Sequence, residues 1–156
     1  MINIDAGGEI PELLIRSEQL RDRGRLDVTV PFFDTDSRLW GLLVSAARAG
    51  SRVRLMSRPP VDALQSEHFA DLVDLGVRLV QLPRVHAKLV LLSDCGGRHS
   101  MGWIGSHNFT KASENTAQEL GVVFRGSGAV ETRLLQQALI QMDAWSRDAK
   151  VARKSR

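Results

Sequence analysis

The sequence predicts an α/β domain in which helices flank a mixed, mainly parallel sheet. Three observations point to it. Strand-like runs at 26–33 (LDVTVPFF), 51–56 (SRVRLM) and 77–82 (VRLVQL) alternate with two segments of helical period, 38–50 and 61–76. A β-α-β-α-β order implies crossover connections and parallel neighbours. Two further apolar segments, VHAKLVLL and MGWIGSHNF, flank a turn with two glycines and read as a hairpin added to the same sheet.

The elements follow in order. IPELLIRSEQLRDR at 10–23 reads as a helix, with Pro11 in its first turn and Gly24 at its end. Its apolar stripe is modest, which suits the edge of a core. After the first long strand, Asp36 or Ser37 caps the helix RLWGLLVSAARAG, and Gly50 stops it. Pro59 and Pro60 close the next strand. VDALQSEHFADLVDLG forms the second crossover helix, ending at Gly76, and Pro83 separates the third strand from the hairpin. ELGVVF at 119–124 is a last strand. Residues 128–149 form a helix with Leu134, Leu135, Ala138, Leu139, Met142 and Trp145 on one side. The basic tail, about 148–156, is expected to fray.

With 156 residues the chain is one domain, 1–156, large enough to bury a real core. A hydrophobic share of 43% with 25% charged residues is that of a soluble globular protein. The net charge of +3 and a pI near 9.6 are compatible with a polyanionic partner. Cys95 stands alone, which excludes an intrachain disulfide and a cysteine zinc cluster and fits a reducing, cytoplasmic setting. The opening residues lack the pattern of a signal peptide, and no stretch approaches the ~20 apolar residues of a membrane span.

The hairpin carries the chemistry. His86 and Lys88, and again Ser106 and Asn108, are spaced i, i+2, so each pair shares one face of its strand. At about 3.3 Å per residue, the two members of a pair lie roughly 7 Å apart. A nucleophile, a cation, a hydroxyl and an amide meeting in a cleft suit an anionic phosphodiester. His107 points to the opposite face and is expected in the core or in support. His99 in the turn and His68 in a helix are expected outside the site, and Trp103 is expected to pack rather than to stack on a base. The histidines and Asp94 lack metal-ligand spacing, so no metal and no cofactor are expected.

His86, Lys88, Asp94, Gly105, Ser106, Asn108 and Glu119 together resemble the HKD motif of the phospholipase D superfamily, over about residues 25–145. Two departures stand out. Asp94 lies one position beyond the family spacing, where Ser93 stands, and the turn before Gly105 is longer. The resemblance implies a phospholipase D-like sandwich. It implies His86 as nucleophile, Glu119 as the carboxylate that orients it, and Lys88, Ser106 and Asn108 as phosphate ligands. Asp94 is left as a supporting residue of shifted register. The family uses two H-x-K motifs per site and this chain has one, so a homodimer sharing one site is implied. Short single-motif members resemble nucleases more than lipid hydrolases. The expected function is therefore metal-independent cleavage of nucleic acid, DNA ahead of RNA, with no membrane involved. A catalytically weak or silent nucleic-acid-binding dimer in a larger defence or repair assembly is the alternative. A phospholipid phosphodiesterase or transferase comes third.

Overall fold

The computed structural model describes residues 2–5, 24–93, 100–106, 108–111, 113, 120–126 and 128–154. The expected helix at 10–23, and Asp94, Cys95, His99, His107 and Glu119, lie outside them. The described strands are β1 (Ile2–Asp5), β2 (Arg25–Thr29), β3 (Arg52–Ser57), β4 (Arg78–Gln81), β5 (Leu89–Ser93), β6 (Met101–Gly105) and β7 (Gly121–Arg125). The described helices are α1 (Arg38–Arg48), α2 (Ala63–Asp74) and α3 (Ala129–Lys154). The strands form one sheet in the order β1-β7-β6-β5-β2-β3-β4.

The sheet is mixed and flanked by helices. Among the described strands β1, β2, β3, β4 and β6 run one way, and β5 and β7 run against them. Among the described strands only β2–β3 and β3–β4 are parallel neighbours. The reason is connection length. β2, α1, β3, α2 and β4 form two crossovers, which parallel pairing requires, whereas the few residues between Ser93 and Met101 are too short a connection for a crossover and leave an antiparallel pair.

Residues of one face alternate with those of the other along each central strand. Leu26, Val28, Val53, Leu55, Val90 and Leu92 pack with Leu39, Leu42 and Leu43 of α1 and Leu72 of α2. Met56, Leu89, Leu91 and Phe124 pack with Leu135 and Met142 of α3. Burial on both faces explains why these strands read as nearly continuous apolar runs.

The helix boundaries have local causes. The Ser37 hydroxyl accepts from the Trp40 amide at 3.3 Å, which resolves the choice between Asp36 and Ser37 as cap of α1. Asp62 caps α2 by accepting from the Gln65 amide at 2.8 Å. Gly50 and Gly76 follow α1 and α2 with φ of 81° and 85°, a region in which a Cβ is strained. The buried stripe of α3 runs through Leu135, Ala138, Leu139, Met142 and Trp145. Leu134, expected on that stripe, is 40% exposed, because it lies about 100° around the helix from Leu135. Helix α3 continues to Lys154 and so takes in part of the basic tail.

Candidate active site

The site begins where β4 ends. The Leu82 amide donates to the Ser57 carbonyl, and the Val85 amide donates back to Leu82 at 3.1 Å, closing a turn around Pro83. Arg58 Nε then donates to the Val85 carbonyl at 3.1 Å. The β5 ladder starts at Leu89, not at Val85 as the sequence suggests. His86 and Lys88 therefore sit on the approach to β5. The Gly105 amide still donates to the Lys88 carbonyl at 3.2 Å, which fastens this approach to the end of β6.

The register fixes where the approach lies in the sheet. Thr29 pairs with Leu89, and Leu89 with Ile104. His86, Lys88 and Ser106 thus gather beyond the carboxyl ends of β2, β3 and β4, the edge where open α/β sheets bind ligands. Ser93, the residue before Asp94, pairs with Arg25 at the other end of β5. Four residue steps, or about 13 Å, separate it from Leu89.

His86, Ala87, Lys88 and Ser106 line one cleft of about 490 Å³, whose far wall is Ala138, Gln141 and Trp145 of α3. His86 is exposed to solvent, whereas Lys88 is 8% exposed. Among the described residues the Lys88 ammonium spends one of its three donors, on the His86 carbonyl at 3.3 Å. The apolar wall around it, Leu89, Ile104 and Ala138, lowers the local dielectric and strengthens its attraction for an anion. Ala87 and Trp145 also border an adjoining groove with Arg84 and Asp148.

Ser106 is held by backbone. Its hydroxyl accepts from the Leu120 amide at 3.0 Å and faces the Leu120 carbonyl at 3.3 Å. Gly105 allows this closeness, since a Cβ there would meet the Trp103 indole and lie 2.8 Å from the Leu120 carbonyl. Asn108, two residues on, does not line the cleft. Among the described residues its Oδ1 is buried without a hydrogen-bond partner. Its neighbours turn toward the loop after β2: Phe109 bridges to Phe33, and the Lys111 amide donates to Asp34 at 3.0 Å.

The structure thus brings together His86, Lys88 and Ser106, and leaves Asn108 outside the cleft. Trp103 is buried at 1% exposure with its ring edge-on to Phe109, a packing residue as expected. His68 lies against Trp40 in the α2 region, away from the cleft. Sequence reasoning missed the α3 wall. Trp145 read as one more member of an apolar stripe, and Gln141 had no motif to mark it.

A sheet of this order, with an imidazole and a buried ammonium at its carboxyl edge, defines a phospholipase D-like domain of the phosphodiesterase superfamily. Residues 18–142 match the family model described as cardiolipin synthase, PLD-like domain, and the chain belongs to that family. A phospholipase D family member, Nuc from Salmonella typhimurium, superposes with a TM-score of 0.65 at 17% identity, over 92% of this chain and 95% of Nuc. NucT from Helicobacter pylori gives 0.62 at 11% identity, over 94% of both chains. Polyphosphate kinase from Porphyromonas gingivalis gives 0.68 at 17% identity, over 90% of this chain, which spans only 25% of that enzyme. Comparison with curated protein sequences gave no match. Among the described residues no helix is long and apolar enough to cross a membrane.

Proposed function

We propose that this domain is a metal-independent phosphodiesterase that cuts nucleic acid through a phosphohistidine intermediate at a site shared by two subunits. The observation that supports it best is the convergence of His86, Lys88 and Ser106 on one cleft at the carboxyl edge of the sheet.

The chemistry follows from those groups. Neutral His86 attacks phosphorus and forms a P–N bond while the bond to the leaving oxygen breaks. Attack through one ring nitrogen requires a proton on the other, held by an acceptor. Glu119 has the family's position for that carboxylate, one residue before the Leu120 that grips Ser106. Lys88 stabilises the charge gathering on the non-bridging oxygens. The leaving oxygen takes its proton from an imidazole on the opposite side. Water, giving a proton back to that imidazole, then attacks phosphorus, breaks the P–N bond and frees a phosphomonoester. The second imidazole comes from His86 of a second copy across a two-fold axis. Nucleic acid, DNA before RNA, suits the basic chain, the single motif of this sequence and the fold it shares with Nuc and NucT.

One observation favours a second reading. Asn108 stands outside the cleft and the Ser106 hydroxyl is engaged by Leu120, which suits a weak or silent nucleic-acid-binding dimer. Labelled DNA and RNA incubated in EDTA with wild type and His86→Ala decide between them. Cleavage by wild type alone supports the enzyme. Binding without cleavage supports the second reading, and dependence on a divalent ion sinks the proposed mechanism.

A further inference from the structure

At the opposite end of the sheet, a second polar depression of about 580 Å³ opens beside α3. Its composition is unusual for a structural feature. Arg25 stands directly beside Arg52 in the β2–β3 register, and Arg54 directly beside Arg78 in the β3–β4 register. Like charges in directly opposed positions destabilise a sheet. Here that happens twice on one face, within four residues of strand. Arg147 of α3 adds a fifth guanidinium to the lining.

Two carboxylates answer them among the described lining residues. Asp27, fully buried, holds Arg25 and Arg54, each at 2.5 Å. Asp143 of α3 holds Arg54 at 2.5 Å and Arg25 at 3.5 Å. Arg52 has a partner of its own; the other four guanidinia against two carboxylates leave an excess of two positive charges in the described lining. The donors are also incompletely used. Arg54, whose side chain is 5% exposed, keeps an Nη2 with no hydrogen-bond partner among the described residues. Arg78 reaches the Ser146 hydroxyl at 2.9 Å and so is already turned toward α3.

A depression with a buried guanidinium at its base, further guanidinia on its walls and a hydroxyl at its side has the donor geometry of an oxyanion site. We propose that it binds a multiply charged phosphate anion of about pyrophosphate size. The anion neutralises that excess and takes its hydrogen bonds from Arg54, Arg78 and Arg147. This site is separate from the His86 cleft, although both borrow from α3. Gln141 and Trp145 face the cleft, while Asp143, Ser146 and Arg147 face the arginines.

The test removes the cleft first. Inorganic pyrophosphate is titrated calorimetrically into the His86→Ala/Lys88→Ala protein, at an ionic strength held constant with sodium chloride. One saturable site per chain is expected. Arg78→Gln and Arg147→Gln, both exposed positions, should each weaken it at least tenfold, as loss of a charge-assisted bond does. Melting of the same double variant provides a measurement that needs no arginine change. Pyrophosphate should raise the midpoint above that in sodium chloride of equal ionic strength. No saturable binding, unchanged affinity in both glutamine variants, or equal melting shifts from the two salts would overturn the proposal. Because the cleft is disabled throughout, none of these results depends on whether the domain is a phosphodiesterase.

Discussion

Replacing Lys88 by methionine separates a catalytic cation from a structural one. Lys88 is 8% exposed and lines its cleft together with the apolar Leu89, Ile104 and Ala138. Methionine keeps most of that apolar contact and deletes the ammonium. Among the described residues the charge it removes makes one hydrogen bond of 3.3 Å, to the His86 carbonyl. A buried ammonium bears a desolvation penalty that one long hydrogen bond offsets poorly. The folded state should therefore be unharmed, with a change of about 1 kcal/mol or less, or slightly favourable. In the proposed mechanism, by contrast, the same ammonium faces charge growing on phosphate oxygens in the transition state. Losing one such donor costs about 10²–10³-fold in rate, or about 2.7–4 kcal/mol. Hydrolysis of bis-p-nitrophenyl phosphate in EDTA measures the second effect, and urea unfolding the first. The expected signature is a collapse of rate at unchanged midpoint. A rate within tenfold of wild type, or a lost rate explained by unfolding, would refute the catalytic placement of Lys88.

Three further predictions concern assembly, packing and charge. Heterodimers of wild type and His86→Ala should be nearly inactive in the same assay, since a shared site then lacks one imidazole; half activity would show that each chain works alone. Gly102→Ala should lower the urea midpoint by about 1–3 kcal/mol of stability, because a Cβ there would run into the Phe124 ring across the β6–β7 pair, and an unchanged midpoint would contradict the close approach. Partial burial pushes the Asp143 carboxyl up, but the Arg54 hydrogen bond and the charges of Arg54, Arg25 and Arg147 outweigh it and hold it below the ordinary carboxylate value. A depressed carboxylate contributes stability above its unfolded value of about 3.9 and loses it as pH falls through the lower folded value. Asp143→Asn should thus cost a screened ~0.2–1 kcal/mol near neutrality, its side chain being 48% exposed. The gap should close below about pH 4, and a gap that widens in acid would reverse the sign argued here.

Much of this protein was determined by sequence alone, because the signals are local. Periodicity marked α1, α2 and the strands they connect, and Gly50 and Gly76 marked the stops, since their backbone torsions exclude most side chains. The spacing of His86, Lys88 and Ser106 identified three groups of one cleft before any packing was known. The limits appear where an outcome depends on contacts distant along the chain. β5 starts at Leu89 and not at Val85, whose carbonyl is taken by Arg58, 27 positions away in sequence. Asn108 shares its spacing with Ser106, yet the bridge from Phe109 to Phe33 draws its segment toward another loop. Trp145 looks alike in sequence whether it fills a core or walls a cleft, and only the lie of α3 across the sheet separates the two. The arginines are the plainest case. Arg25, Arg52, Arg54 and Arg78 are unremarkable along the chain, and parallel register alone sets them side by side. Periodicity reports which way a side chain points, whereas register and crossover decide what it meets there.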